Sequence, residues 1–327
     1  MSLKIIRAGI LDTIHDLGRF GYQHQGINPG GAMDRFSASL ANALLGKELH
    51  APVMEMHYPA STILFEEACL ICLTGADFYP VVNDKPLALY QPMAVTPSSV
   101  LSWKKWHAGA RCYLSILNDL QLDKWLHSYS TNLKAGAGGF KGRRLEKGDR
   151  LTFLPIDLPY LKQSVLALPW RYNESFIQTN EIAFIPGPEW NWLTTGSQQT
   201  LLNEPFKITT ASDRMGYRLQ GNLLEQATNE QLLSSAVTFG TVQLLPNGQL
   251  IVLMADHQTT GGYPRVANVV SAHLPKLAQM GPQNDIRFVM TDLLSAERKF
   301  MDQQNYLLQL QNTCKLKIQN WLHAHRS

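Results

Sequence analysis

The chain has 327 residues, 45% of them apolar and 17% charged, and a formal net charge of +3. That length suits two domains of ordinary size, and that balance belongs to a globular protein. Basic residues are scattered, apart from Lys141-Gly142-Arg143-Arg144 and the C-terminal tail, which excludes a nucleic-acid stripe.

No apolar run approaches the ~20 residues of a membrane span. The opening MSLKIIRAGILD has no long apolar core before its first acid, so no secretory leader is expected and the expected location is cytoplasmic. In chain order, residues 1–33 alternate short apolar stretches with Gly, Asp and Pro, and read as strand and loop. Residues 34–47 place Phe36, Leu40, Ala43 and Leu44 at helical spacing, opened by Asp34 and closed by Gly46. From Val53 to Leu117 short β-branched and aromatic segments follow, with Asn83-Asp84 where a hairpin turn belongs. Cys69 and Cys72 sit three apart in ACLICL, a strand-like run, so they face opposite ways and read as buried core thiols.

Gly136–Gly142 is a glycine-rich loop, and residues 155–180 read as a linker. Strands resume over 181–290, with Pro246-Asn247-Gly248 as a hairpin turn. From about Ser295 a polar, Gln-rich helix runs toward Trp321, His323, His325 and Arg326, with Ala296, Phe300, Tyr306, Leu307 and Leu310 as its apolar stripe. The fold class expected is mainly β: two β-rich halves with a few short helices, then a C-terminal helix. The connections are too short for regular βαβ units. The expected domains are 1–160, 161–290 and a helical tail over 291–327.

One phrase occurs twice. Arg19-Phe20-Gly21-Tyr22 through Gly26 and Arg214-Met215-Gly216-Tyr217 through Gly221 both read RxGYxxQG, 195 residues apart. The expectation is an internal duplication, each copy carrying an arginine and a glycine turn. The common signatures of phosphate loops, dinucleotide folds, serine-hydrolase elbows, zinc proteases and biotin attachment are all absent.

Four segments carry candidate chemistry. Around Gly18, Asp16 and Arg19 can form a charge-assisted pair, or simply close a loop. Ser130-Thr131-Asn132, the glycine loop and Arg143 offer hydroxyls, backbone amides and guanidinium groups to an anion, or form a solvated hairpin. Asp213, Arg214 and Arg218 flank Gly216 in the same manner. Asp256-His257-Gln258-Thr259-Thr260-Gly261-Gly262-Tyr263 leaves a buried strand end, dense with acid, amide and hydroxyl groups. There Asp256 can serve as base or orienter, and the glycines let backbone approach a ligand. No pattern points to a metal ligand set.

These segments, HDLGR-GY, G-A-MDR before LAN, STNLKAG-GGF-GR-L--GD, SDRMGYRL-G and ADHQTTGGYP, resemble the KipA/PxpC family in order from about residue 4 to 290. That family includes allophanate hydrolase subunit 2 and the carboxyltransferase portion of urea carboxylase. The resemblance implies two cyclophilin-like β-barrel subdomains. It also implies partners: a KipI/PxpB-like subunit and a LamB/YcsF-like (PxpA) subunit, which together form an ATP-dependent 5-oxoprolinase that opens 5-oxoproline to glutamate.

Asp16, Arg19, Asn42, Arg143, Asp213, Arg214, Arg218, Gln243, Asp256, Gln258 and Tyr263 fall in the family's motifs. By that resemblance Asp256, Gln258 and Asp16 are the expected catalytic residues. Arg143, Arg214 and Arg218 would steady phosphate or carboxylate charge, and Arg19, Asn42, Thr131, Asp213, Gln243, Thr259 and Tyr263 would complete the binding set. His15 stands where the family has Gln, and His257 where it has Arg. ATP with Mg is expected at the level of the complex. The alternatives are the carboxyltransferase component of a biotin-dependent urea carboxylase system, and a KipA-like regulator that binds a KipI-like kinase inhibitor.

Overall fold

The computed structural model describes residues 2–154, 156, 158, 163–173, 179–228 and 230–324. The chain divides into two compact units that do not follow chain order. One holds Met1–Gly18, Asp34–Ser175 and Gln304–Ser327; the other holds Arg19–Met33 and Phe176–Gln303. The boundary expected at residue 160 lies outside the described residues, as do parts of the expected linker, His325 and Arg326.

The first unit contains β1 (Ser2–Arg7), β2 (Thr13–His15), α1 (Arg35–Leu44), β3 (Val53–Met56), β4 (Thr62–Phe65), β5 (Cys69–Asp77) and β6 (Pro80–Val82). It continues with β7 (Lys85–Pro86), β8 (Met93–Val95), β9 (Ser99–Trp103), β10 (Ala108–Ile116), β11 (Arg150–Thr152) and β12 (Val165–Ala167). One six-stranded sheet runs β11-β1-β4-β9-β6-β7, the other β12-β8-β5-β10-β3-β2. Inward residues of both sheets, such as Ile5, Ile63, Leu101, Ile71 and Leu114, form a single core. Cys69 joins that core, while Cys72 joins a second cluster on the other face of β5, as strand alternation requires. Burial pushes the Cys69 thiol up to about 12, and all four cysteines are free and buried.

Asp34 caps α1: its carboxylate accepts from Ser37 N at 2.8 Å. Asn83 and Asp84 both take positive φ, 48° and 64°, in the turn between β6 and β7.

The second unit contains β13 (Glu181–Pro186), α2 (Thr195–Asn203), β14 (Phe206–Ile208), β15 (Gly216–Gln220), β16 (Ser235–Ala236) and β17 (Thr241–Leu244). Then come β18 (Leu250–Leu253), β19 (Thr260–Gly261), β20 (Arg265–Val269), α3 (Leu274–Ala278) and β21 (Asp285–Met290). Seven of these close a barrel in the order β13-β20-β17-β18-β15-β14-β21. Its core sets Phe184 and Phe206 edge-on to Phe288, with ring centroids 5.8 and 5.9 Å apart. Met33, fully buried, packs into the same core and ties the Arg19–Met33 segment to this unit.

The C-terminal helix α4 spans Leu293–Ala324. Ala296, Leu307 and Leu310 of the expected stripe are buried or partly buried, but Phe300 and Tyr306 are not, and the stripe continues further along the helix. Leu307, Cys314, Ile318 and Trp321 pack on Leu40 and Leu44 of α1, whereas Phe300 and Tyr306 are 41% and 43% exposed. The heptad spacing from Leu307 onward selects that face. No helix of the described residues is long and apolar enough to cross a membrane.

The duplicated phrase does not mark equivalent structure. Gly216–Gln220 is strand β15, but the first copy is loop and a short 3-10 turn at Gln23–Gln25, with Gly21 at φ 91°. The difference is physical: β15 finds β14 and β18 on its two sides, and no strand flanks the first copy among the described residues.

Candidate functional site

The turn before β15 is built by short polar side chains. Asp213 Oδ1 accepts from Met215 N at 2.7 Å and Gly216 N at 3.2 Å, an Asx turn. Ser212 Oγ accepts from Arg218 N at 3.0 Å. This turn sends Arg214 inward and leaves Met215 exposed. Along β15, Tyr217 and Leu219 face the barrel core and Arg218 faces out. Gly216 gives Ile251 on β18 its room, since a Cβ there would lie 2.7 Å from Ile251 Cδ1 and the side chain would have to shift.

Arg214 grips Asp256. Its Nε donates to Oδ2 at 2.8 Å and its terminal NH2 to Oδ1 at 3.1 Å. The same NH2 group donates to Gly31 O at 2.7 Å. Gly30, at φ 61°, lets Arg19 approach: a Cβ there would stand 3.1 Å from the Arg19 guanidinium and 3.6 Å from Asp256 Oδ1. The arginines of both phrase copies thus converge on the Gly30-Gly31 turn, although their local folds differ.

A groove of about 540 Å³ opens on the outer face of the barrel, beside this pair. Small-ligand sites have volumes of this order. Five residues singled out in the sequence line it: Asp213, Arg218, Gln243, Gln258 and Tyr263. Arg218, Gln258 and Tyr263 are exposed, and among the described residues their side chains make no hydrogen bond or ion pair. Gln243 is 1% exposed, and its Nε2 donates to Tyr263 O at 3.4 Å. Thr259 does not line the groove; its carbonyl accepts from Val237 N at 3.1 Å. His257 is buried, with Nδ1 2.5 Å from the carbonyl of Gln258. Sequence reasoning missed Ile251 and Asn247 in the lining. The alternation of β18 held the signal for Ile251, because Leu250 and Val252 face the core.

Asp16, Asn42, Thr131 and Arg143 belong to the first unit, and each is engaged there. Asp16 Oδ1 accepts from Gly18 N, Ser128 Oγ and Ser130 Oγ at 2.8, 2.6 and 2.6 Å, and Oδ2 accepts from Tyr129 N at 2.7 Å. The Asn42 amide donates to Ala51 O at 2.8 Å and its carbonyl accepts from Ser115 Oγ at 2.6 Å. Thr131 Oγ1 donates to Ile14 O at 2.9 Å. Arg143 is locked on Asp149 by two bonds of 2.7 and 2.8 Å, which hold Asp149 below the usual carboxylate range. Two amides of the glycine loop are spent within it: Ala137 N donates to Asn132 O, and Gly142 N to Gly138 O. Among the described residues no group of His, Cys, Asp and Glu is arranged to hold a metal ion.

Comparison with known proteins gives these features a family. The chain is 37% identical over 308 residues to the C subunit of the Escherichia coli 5-oxoprolinase, covering 94% of this chain and 97% of that one. It is 35% identical over 298 residues to the protein of the same name from Haemophilus influenzae, covering 91% and 94%. The crystal structure of the Kluyveromyces lactis urea carboxylase superposes with a TM-score of 0.84 at 25% identity, over 94% of this chain and 29% of that one. Residues 25–290 match the family model for the carboxyltransferase domain, subdomain A and B, and the chain belongs to that family.

Proposed function

We propose that this chain is the C-type subunit of an ATP-dependent 5-oxoprolinase, acting in the cytoplasm with a KipI/PxpB-like and a LamB/YcsF-like partner. The reaction consumes ATP and water and opens the lactam of 5-oxoproline to glutamate. The observation that carries this reading is the near end-to-end match to the E. coli 5-oxoprolinase protein, 97% of that chain, against 29% of the urea carboxylase.

The groove of the second unit supports the reading on chemical grounds. Arg218 is an uncommitted cation for the substrate carboxylate, and Gln258 and Tyr263 offer neutral polar groups beside it. Asp256, aimed by Arg214, is the acid–base group that would position water or the lactam. Asp16, saturated by four donors, acts in this reading as a support for the segments it joins. The glycine loop is not read as an ATP phosphate cradle, because Ala137 N and Gly142 N are spent on Asn132 O and Gly138 O and Arg143 is held by Asp149. ATP and Mg are therefore assigned to the partner subunits, and this chain's task is to hold and orient the substrate.

The test is ATP-dependent glutamate release from 5-oxoproline, assayed with this chain alone and then with both partners. Turnover only in the mixture is expected. A stable complex without turnover would sink the reading. The likeness to urea carboxylase favours biotin-dependent carboxyl transfer as the second reading, tested with urea, a biotin carrier and a biotin carboxylase. Tight pairing without either activity would leave the regulator.

A further inference from the structure

The outer face of the barrel carries one cross-strand row that runs through the groove. Arg218 on β15 pairs with Ile251 on β18, and Ile251 pairs with Gln243 on β17. Strands in a sheet lie about 4.8 Å apart, so the Arg218 and Gln243 backbones stand roughly 10 Å from each other with Ile251 between them. The row therefore reads cation, apolar floor, carboxamide. It continues to Arg265 on β20, but Glu189 holds that guanidinium with bonds of 2.9 and 2.7 Å. Arg218 is the cation left for a ligand.

Gln243 is the unusual member. An outward residue on a barrel strand is ordinarily exposed, yet Gln243 is 1% exposed because the segment Gly261–Tyr263 lies over it. Gly261 makes that cover possible, since a Cβ there would stand 2.5 Å from Gln243 Nε2. The donor Nε2 is turned to Tyr263 O, and among the described residues Oε1 accepts no hydrogen bond. Gln243 lines the groove, and its Oε1 is not sealed among the buried unpartnered atoms, so that acceptor is open to a donor from a ligand.

We propose that this row reads a small molecule carrying both a carboxylate and an amide N–H. Arg218 takes the carboxylate, Gln243 Oε1 accepts from the N–H, and the ligand's ring carbons lie over Ile251. The inference rests on the proposed function only in naming 5-oxoproline, a lactam with a carboxylate, as the ligand of that class.

The experiment is an NMR titration of the full chain with three probes. They are 5-oxoproline, 2-pyrrolidone (the lactam without the carboxylate) and cyclopentanecarboxylate (the carboxylate without the N–H). Gln243→Leu is expected to weaken 5-oxoproline and 2-pyrrolidone roughly tenfold and to leave cyclopentanecarboxylate within about twofold. Arg218→Gln is expected to weaken both carboxylates roughly tenfold and to spare 2-pyrrolidone. Gly261→Ala, which displaces the carboxamide without removing it, gives the Gln243→Leu pattern and serves if that variant melts early. Uniform weakening of all probes, no change in any, or failure of 5-oxoproline to bind overturns the proposal.

Turnover of the reconstituted complex separates the two readings. Selective 5-oxoproline binding without turnover keeps the site and removes the proposed function. Turnover whose KM is unmoved by Gln243→Leu and Arg218→Gln keeps the function and removes the site.

Discussion

Arg214 and Asp256 meet as a two-pronged ion pair, at 2.8 and 3.1 Å, and their backbones add a third bond from Asp256 N to Arg214 O at 2.8 Å. Their side chains are 8% and 22% exposed. A fork of this kind fixes a carboxylate's direction as well as its charge, which a single lysine ammonium cannot do.

Removing one partner of such a pair should cost more than the pair contributes. Arg214→Ala leaves Asp256 half-sheltered and Gly31 O without its donor. The full penalty for a buried charge is about 3–5 kcal/mol; partial exposure of Asp256 lowers the expectation to roughly 2–3 kcal/mol. Arg214→Lys retains charge without the fork and should lose about half of that. Urea denaturation of both variants checks the ranking, and equal losses would show that the fork geometry is idle.

Asp256 and Asp16 should separate by readout. Asp256→Asn is expected to reduce turnover of the reconstituted complex by roughly 100-fold or more, the scale of a positioned acid–base group. Asp16→Asn turns an amide N–H toward some of the four donors it now satisfies. Leaving two of them unmet costs roughly 2–4 kcal/mol, while Asp256→Asn leaves the buried Arg214 charge without its counter-ion, so both variants should lose stability and turnover is what separates them. Turnover measured well below both melting points distinguishes them; an Asp16→Asn protein that is fully stable yet inactive would reverse the assignment.

Local signals were readable and distant pairings were not. Asp34 as a cap, Asn83-Asp84 and Pro246-Asn247-Gly248 as turns, and the final helix all depend on neighbours within a few residues, so the sequence displays them. Helix α2 was not expected: only Ser197 and Leu201 of it are buried, and Thr194 is its quiet cap. Arg214 and Asp256 each stand out by motif, but nothing local couples residues 42 apart. Arg143 was expected to meet an anion from outside; the anion it meets is Asp149, six residues on. The grouping of Arg19–Met33 with the second unit depends on packing such as that of Met33 in the barrel core, which no local pattern encodes.

The glycine loop should act on stability and leave anion binding unaffected. Gly142 has φ 66°, and a Cβ would lie 1.9 Å from Gly136 O and 2.5 Å from Ala137 N, both backbone atoms that cannot step aside. Gly142→Ala therefore combines left-handed strain with a collision, and a loss of at least ~2 kcal/mol is expected. Gly136, also at positive φ, has open space around its would-be Cβ, so Gly136→Ala should cost only about 1 kcal/mol. Thermal melts of the two variants give the comparison. Equal melting temperatures would show that the loop's close approach to Gly136 O is not maintained in solution.

Acidity should pull the two units in opposite directions. In the first, burial pushes the Asp12 carboxyl up to about 6, against the lowering effect of Ser61 and the His57 N–H. A raised carboxyl favours its neutral form in the fold, so its stabilising share is full below about pH 4 and is lost as pH rises through about 6. The span corresponds to about 3 kcal/mol. In the second, burial first, then Lys299 and Lys276, pull His273 down to about 4, while its Nδ1 accepts from Ala183 N at 2.9 Å. A lowered histidine favours its neutral form, so its share is full above pH 6.5 and is lost as pH falls through about 4. Its half-buried ring limits that share to roughly 1–2 kcal/mol. Denaturation of wild type, Asp12→Asn and His273→Asn from about pH 4 to about pH 8 gives each difference directly. The wild type should lose stability relative to Asp12→Asn as pH rises from about 4 to about 6, and gain relative to His273→Asn as pH rises from about 4 to 6.5. A flat difference in either series rejects that residue's part.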